Sequence, residues 1–174
     1  MACYEVGPII TPSESGSLRV RITKNCQWNK CEFCPMYKGK TYELRPINEI
    51  LKDIRASQKT QELKGKTYES AFLQDANPIG LPTSDLIRIL KQIKETHPKI
   101  NRITSYGRDD SISRKSLEEL KELKDAGLRG IYRGLESGYD PLLRYMKNGT
   151  TAKSLIKSGL KVKESGIELS DYKM

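Results

Sequence analysis

The sequence predicts an α/β fold built on a parallel sheet, and three observations point to it. Short runs rich in β-branched residues alternate with longer segments in which apolar residues recur at helical spacing. Helix start and stop signals separate the two kinds of segment. The helical segments are long enough to serve as crossovers between parallel strands. The architecture is therefore either an open doubly wound sheet or a (β/α) barrel.

Five short runs are predicted to be the strands of this sheet. In chain order they are residues 17–23, 70–75, 101–106, 129–134 and 166–172. Residues with branched or aromatic side chains suit a pleated and buried surface. The chain is therefore expected to contain about five βα units.

Two segments between these runs show the spacing of an amphipathic helix. Apolar residues recur at i, i+3, i+4 and i+7 in both segments: Ile47, Ile50, Leu51 and Ile54 in the first, and Leu86, Ile89, Leu90 and Ile93 in the second. Pro46 suits the first position of the first helix, and Thr83 or Ser84 can cap the second.

Two further helices are indicated by their ends. Ser116 and Glu119 have the spacing of a capping box, which marks a helix start. Gly127 and Gly166 each follow a charged helical segment and precede a strand, as expected of a glycine that ends a helix. The order strand, helix, strand is thus repeated along the chain.

Composition and charge restrict the class of protein. Hydrophobic residues make up 36% and charged residues 30% of the 174 positions, which is typical of a globular domain. No apolar run approaches the roughly 18 residues of a transmembrane helix, and the N-terminus lacks the features of a signal peptide. We therefore expect a cytoplasmic protein without a membrane partner. The net charge of +9 makes an anionic partner a hypothesis, although most of the charges are typical of solvated helix faces.

Three of the four cysteines lie in one loop after the first predicted strand. Cys26, Cys31 and Cys34 have the spacing C-x4-C-x2-C, in a segment rich in lysine. A chain without an export signal is not expected to form a disulfide framework, so metal binding or catalysis is the better interpretation. Soft thiolates select zinc or an iron–sulfur cluster.

A fourth protein ligand for these thiols is not well placed. Cys3 lies upstream beyond a predicted strand, and His97 follows a charged helix end, where it suits the helix C-terminus better than a metal. Plant-type [2Fe–2S] ferredoxins share the spacing but add a downstream cysteine, and structural zinc sites use four ligands. Three thiols therefore predict a cluster with one iron open to a small molecule.

Polar residues follow the predicted strands at the points where the strands end. In both candidate architectures the chemistry lies at the carboxyl ends of the strands. The candidate site residues at this level are Gln74, Asp75, Asn77, Ser105, Arg108 and Glu136. We expect these side chains to meet the cysteine loop at one rim.

The cysteine loop resembles the cluster-binding loop of the radical S-adenosylmethionine (radical SAM) superfamily. That loop usually reads C-x3-C-x2-C with an aromatic residue before the last cysteine, a position that Phe33 holds here, and this chain has one extra residue between the first two cysteines. "GLESG" (134–138) resembles the polar motif of the family's fourth strand, whereas "FLQDAN" (72–77) stands at the place of its Gly-Gly-Glu motif without matching it. The resemblance covers about residues 17 to 172 and implies a partial (β/α) TIM-type barrel.

The resemblance also implies an enzyme that cleaves S-adenosylmethionine (SAM) reductively. Cys26, Cys31 and Cys34 would hold three irons of a [4Fe–4S] cluster, and the fourth iron would bind SAM. One electron would then release a 5′-deoxyadenosyl radical that acts on a substrate, which the sequence does not identify. Contacts to the cofactor would come from Phe33, Gln74, Asp75, Asn77, Ser105, Arg108 and Glu136, with Trp28 shielding the cluster.

The lysines around the cysteines suggest a partner. Lys24, Lys30, Lys38 and Lys40 would dock an acidic electron donor such as flavodoxin or ferredoxin, or stabilise a reduced cluster, and loop solubility is the alternative. A different class of function also stays open, namely a non-catalytic iron–sulfur or nucleic-acid-binding module that uses the positive charge.

The predicted domain organisation is simple. Residues 1–16 form a lead-in segment, and residues 17–174 form one radical SAM core domain. Against the six-unit barrel of the family, this domain is expected to be incomplete at its C-terminal end, with uncertain catalytic competence. The fifth strand would then leave an open sheet edge through which the chain could self-associate.

Overall fold

The computed structural model describes residues 10–65 and 67–173. The first nine residues of the predicted lead-in segment, Cys3 among them, lie outside the described residues. No helix among the described residues combines the length and the apolar character needed to cross a membrane.

Strands and helices alternate along the described chain, as the sequence predicted. The strands are β1 (Leu18–Arg21), β2 (Thr23–Lys24), β3 (Glu43–Leu44), β4 (Ser70–Gln74), β5 (Arg102–Tyr106), β6 (Leu128–Glu136) and β7 (Glu168–Lys173). The α-helices are α1 (Ile47–Lys64), α2 (Thr83–Thr96), α3 (Asp109–Arg114), α4 (Leu117–Ala126), α5 (Asp140–Tyr145) and α6 (Ala152–Glu164). Two 3-10 turns, Pro12–Glu14 and Pro78–Gly80, complete the order.

Five of the strands form one parallel sheet in the order β1-β4-β5-β6-β7. Each of these five strands pairs with the next of the five along the chain, and at least one helix lies between the two. The predicted α/β class and the partial (β/α) barrel of about five units are thus confirmed. The two short strands β2 and β3 pair antiparallel and close residues 25–42 into a loop above β1. That loop contains the three clustered cysteines.

The outer face of the sheet carries the main hydrophobic core. One row across the sheet joins Val20, Leu73, Ser105, Ile131 and Leu169 as successive partners. Val20, Leu73 and Ile131 belong to one buried hydrophobic cluster, which also contains the buried side chains of the helices, and Leu169 packs against that cluster. Because side chains alternate between the two faces of a strand, the residues next to these point to the inner face.

The inner face is aromatic and polar, and the segment around the first 3-10 turn covers part of it. The Glu14 carboxylate is buried there and accepts hydrogen bonds from Ser17 (2.6 Å), Thr104 (2.8 Å) and Tyr132 (2.7 Å). Three donors satisfy a charge that would otherwise be costly to bury.

The predicted helix ends on α4 and α6 are present in the structure. Ser116 and Glu119 form the predicted capping box at the start of α4. Gly127 ends that helix with a φ of 119°, and Gly166 follows α6 with a φ of 78°. Such positive φ values are the reason for glycine at both helix ends.

The predicted cap of α2 is wrong. The helix begins at Thr83 with Pro82 at the capping position, and no side chain there bonds the helix. The Thr83 hydroxyl instead donates to Glu119 (2.6 Å) and accepts from Lys115 (3.1 Å). Tertiary partners therefore replace the local hydrogen bond. Pro46 lies one residue before α1, where its carbonyl accepts from Glu49.

Candidate functional site

The three clustered cysteines face one cavity at the carboxyl ends of the parallel strands. Cys26, Cys31 and Cys34 are all free thiols; Cys31 is buried, and the other two are half-buried. All three line a cavity of about 410 Å³. The other side chains on its wall come from the segment around the first 3-10 turn, the cysteine loop, the ends of β4, β5, β6 and β7, the start of α3 and the connection from α5 to α6. The predicted meeting of several strand ends at one rim is therefore present.

One side of the cysteine loop is held by a buried charged network, which we call the polar anchor: Arg21, Asn25, Tyr37 and Asp75. Asp75 is fully buried, and one of its oxygens accepts from both Nε and Nη2 of Arg21, at 3.1 and 3.0 Å. The same oxygen accepts from the backbone N–H of Asn25 (3.1 Å), and the other oxygen accepts from the Tyr37 hydroxyl. Asp75 thus ties the start of the cysteine loop, and Tyr37 further along it, to β1 and β4.

The other side of the loop is held by packing, in what we call the apolar anchor: Trp28, Phe33, Met146 and Gly149. Trp28 lies against Gly149, where a Cβ would collide with the indole ring, and its Nε1 donates to the carbonyl of Lys147 (2.8 Å). Phe33 packs against a small cluster that includes Met146. The loop is therefore docked on α5 and on the connection from α5 to α6.

Arg108 joins the apolar anchor to the cysteines. Its guanidinium lies over the Trp28 ring at 5.3 Å and donates to Asp110 (3.2 Å) and to the carbonyl of Asn148 (3.1 Å). Burial raises the pKa of the Cys31 thiol, and the Arg108 guanidinium opposes this shift through its charge and a hydrogen bond. Arg108 therefore favours the thiolate, which is the form that binds a metal.

Glu136 lines the cavity in a backbone conformation that is unusual for its residue type. Its φ is 58°, in the left-handed region that favours glycine. Its side chain folds back over Gly134, where a Cβ would lie 2.6 Å from the carboxylate. Because Gly134 has no side chain, the Glu136 carboxylate has room to lie against it at the cavity wall.

The predicted site residues fall into two groups in the structure. Phe33, Arg108 and Glu136 line the cavity together with the three cysteines. The other four, Gln74, Asp75, Asn77 and Ser105, are all buried and do not line it.

Two of these buried residues support the wall behind the cavity. The amide of Asn77 donates to Ser111 (2.8 Å), and its oxygen accepts from the backbone N–H of Arg108 (2.9 Å). Ser105 belongs to the outer-face row of the sheet and donates to the carbonyl of Tyr106 (2.8 Å). Their polar atoms are thus used within the protein.

Other residues on the cavity wall were not among the predicted site residues. Tyr37 has a sequence signal, because it lies in the cysteine loop directly after the motif. Asp109 and Asn148 have none. The Asp109 carboxylate accepts from Thr150, just before α6, and from Ser154 (2.5 Å) and Ser158 on that helix. It therefore braces the cavity wall against that helix.

The donor set suits an iron–sulfur cluster. Three free thiols from one loop face one cavity with a guanidinium beside them, and soft thiolates are the ligands that such clusters use. Among the residues described, no group of three or more histidine, cysteine, aspartate or glutamate side chains is arranged to hold a single metal ion.

Comparison with known proteins gives a family match across most of the chain. The family described as the Radical SAM superfamily matches residues 20–172. A protein of Methanocaldococcus jannaschii that is provisionally named a methylthiotransferase is 25% identical over 154 residues, which cover 84% of this chain and 32% of that protein.

Solved structures with the same fold are also found. The cobalamin-dependent SAM radical enzyme OxsB, with aqua-cobalamin and SAM bound, superposes with a TM-score of 0.74 at 22% identity, over 91% of this chain and 24% of that chain. Coproporphyrinogen III oxidase of Escherichia coli, a radical SAM enzyme, gives 0.64 at 16% identity, over 90% of this chain and 36% of that chain. This chain thus spans about a quarter to a third of the length of these proteins.

Proposed function

Because the chain belongs to the radical SAM superfamily, a superfamily of enzymes, we propose that it binds a [4Fe–4S] cluster and cleaves SAM reductively. Cys26, Cys31 and Cys34 would each hold one iron. The observation that supports this most directly is the common cavity that the three free thiols share with the strand ends. When bound, the cluster and SAM would supply a 5′-deoxyadenosyl radical for hydrogen abstraction.

The protein's own contribution is to orient the cofactor and to keep water away. Phe33 and Arg108 lie on the cavity wall beside the cysteines, which suits contacts to the adenine and to the carboxylate of SAM. Glu136 offers a carboxylate that can accept from the amine or the ribose hydroxyls. For Gln74, Asp75, Asn77 and Ser105 we propose an indirect role, in which they fix the wall and the loop that carry these contacts.

The electron would come from an acidic donor that docks on the lysines of the loop. Lys24 pairs with Glu43 at 3.3 Å, and Lys38 donates to the carbonyl of Asn29 at 3.3 Å. These contacts fix where the two ammonium groups lie on the surface. Positive charge beside the cluster site would attract a flavodoxin-like or ferredoxin-like surface. Free thiols and a reduced cluster suit a reducing compartment, so we propose the cytoplasm.

Anaerobic reconstitution with iron and sulfide tests the proposal. We expect about four irons and four sulfides per chain and a reduced spectroscopic signal that SAM perturbs. Replacing Cys26, Cys31 or Cys34 by Ala should each abolish the cluster, whereas Cys3→Ala serves as the matched control and should keep it. Stoichiometric zinc without labile sulfide would contradict the proposal.

A second set of variants separates SAM binding from cluster binding. Phe33→Ala should weaken SAM binding more than it lowers the iron content, because its side chain holds no iron and the three thiols remain. Arg108→Gln should weaken SAM binding by about 1.5–3 kcal/mol, the range for a hydrogen bond to a charged group. Isothermal titration of the reconstituted protein measures both effects, and unchanged affinity in both variants would remove these residues from the SAM site.

A further inference from the structure

Two adjoining surface grooves beside the cysteine loop are lined by cations. Their volumes are about 380 and 310 Å³, and Thr151 borders both. The cations on their walls are Lys30, Arg144 and Lys147 in the first groove and Lys153, Lys157 and Lys161 in the second. Among the residues described, neither groove is lined by an acidic side chain. We call this surface the cationic track.

Four of the six charges are available to a ligand. Lys30, Arg144, Lys153 and Lys157 are exposed, and none of them forms an ion pair with a residue that the structure describes. Lys147 pairs with Glu32 at the rim. Lys161 donates to three backbone carbonyls and is held in place by them.

Three lysines of the cationic track form a line along α6. Lys153, Lys157 and Lys161 follow one another at intervals of four residues on α6, which puts them on one face about 6 Å apart along the axis. The N-terminus of α6 is already served by Thr151 and by Asp140, whose carboxylate accepts from Ala152 N–H at 2.7 Å. Attraction of an anion therefore depends on the side-chain charges.

We propose that the cationic track binds the sugar–phosphate backbone of a single-stranded nucleic acid. A row of exposed cations along two adjoining grooves matches the repeated charges of one strand, and phosphate contacts of this kind supply most of the affinity without reading sequence. Because Trp28 and Lys30 belong both to the first groove and to the cysteine loop, a bound strand would run beside the mouth of the cavity. This inference goes beyond the proposed function and does not depend on the cluster.

An acidic protein is the other partner that such charge would attract, and the geometry favours it less. Protein interfaces have a core that is depleted of charge and enriched in aromatic residues and methionine. The second groove is lined only by lysine, serine and threonine side chains among the described residues, and the first adds Trp28 and Leu143 as its large apolar side chains.

Fluorescence anisotropy with a labelled twelve-nucleotide oligouridylate, over a series of salt concentrations, tests the inference. The variant pair Lys153→Glu with Lys157→Glu should weaken binding at least about tenfold and reduce the salt slope by roughly 1.4, two contacts at about 0.7 each for a single strand. Lys91→Glu with Lys121→Glu changes the net charge equally on exposed positions of α2 and α4 and should stay within about threefold of the parent chain.

Two further probes complete the test. An oligodeoxythymidylate of the same length should bind with a similar salt slope, because the phosphate spacing decides the contact. Polyglutamate of equal charge should bind more weakly than either oligonucleotide. Equal losses in the two charge variants, or tighter binding of polyglutamate, would overturn the inference. Circular dichroism of each variant shows that the fold is kept.

Discussion

The cysteine loop is held on its two sides by opposite kinds of interaction. In the polar anchor, Asp75 is fully buried and satisfied by Arg21, Asn25 and Tyr37. In the apolar anchor, Trp28 packs against Gly149 and Phe33 packs against the cluster that includes Met146. The side chains of Trp28 and Phe33 are half-buried.

The two anchors are expected to differ in how much stability a single substitution removes. Loss of one partner from a buried ion pair leaves a charge without compensation and costs about 3–5 kcal/mol. Loss or addition of apolar volume costs less and varies with the room that neighbouring side chains have to move. We therefore expect the polar anchor to fail abruptly and the apolar anchor to weaken by degrees.

The largest effect is expected from Asp75→Ala, which breaks the polar anchor. Arg21 would stay buried but lose the Asp75 carboxylate that it pairs with at 3.0 Å, so the free energy of unfolding should fall by about 3–5 kcal/mol. Chemical denaturation of the cluster-free protein measures this change. The reactivity of the three cysteine thiols toward a disulfide reagent should rise in the same variant, because the loop is released.

Asp85→Ala is the matched control for this variant. Asp85 pairs with Arg88 at 3.5 Å on the surface of α2, where such pairs contribute about 0–1 kcal/mol. If both substitutions lowered the denaturation midpoint equally, the special weight given to the polar anchor would be wrong.

A smaller effect is expected from Gly149→Ala, which acts on the apolar anchor. Gly149 has a φ of 86°, and an added Cβ would collide with Trp28. Strain and displacement together should cost about 1–3 kcal/mol. Trp28 is the single tryptophan of the chain, so its fluorescence should shift to longer wavelength as the ring moves into water.

Gly138→Ala provides the comparison at another glycine. Nothing lies within 4 Å of a Cβ built at Gly138, so neither stability nor Trp28 fluorescence should change measurably. A Gly149→Ala protein with native fluorescence would show that the ring does not depend on this close approach.

The smallest effect is expected from Tyr37→Phe, and it depends on pH. Burial raises the pKa of the Tyr37 hydroxyl, and the hydrogen bond and charge of Asp75 raise it further. Above the unfolded value of about 10, the unfolded chain loses a proton that the folded chain keeps, so this hydroxyl lowers stability as pH rises. Phenylalanine lacks the proton.

The variant should therefore be less stable by about 1.5 kcal/mol at neutral pH, the low end of the range for a hydrogen bond to a charged group, and the gap should narrow above pH ~10. Denaturation at pH 7 and at alkaline pH measures both values. Tyr145→Phe removes an exposed hydroxyl and should match the parent chain at each pH. A gap that widened with pH would contradict the assignment of the Tyr37 proton.

The sequence predicted best what is local along the chain. The capping box of Ser116 and Glu119 needs only residues three apart, and it is present. The cap at Thr83 failed because Lys115 and Glu119 reach that hydroxyl from another part of the fold. The short helices α3 and α5 and the pairing of β2 with β3 carry too few residues to show a periodic signal.

The same limit explains the outcome at the site. The cysteine motif is contiguous, so its position at the rim could be predicted. The rule that places chemistry at strand ends gives a position along the strand but not a face: Ser105 and Tyr106 are adjacent, yet Tyr106 lines the cavity and Ser105 faces the helices. The burial of Asp75 depends on its contacts with Arg21 and Tyr37. No sequence pattern predicts that these two residues lie next to Asp75.

Glu14 has a consequence for the order in which the chain folds. Its carboxylate is bonded by Thr104 and Tyr132, which lie 90 and 118 positions further along the chain. Contacts of such large sequence separation form slowly, because the intervening chain must be ordered first. During synthesis, this carboxylate must stay hydrated until β5 and β6 have emerged and paired. The segment around Glu14 is therefore expected to dock late, after the sheet that it covers.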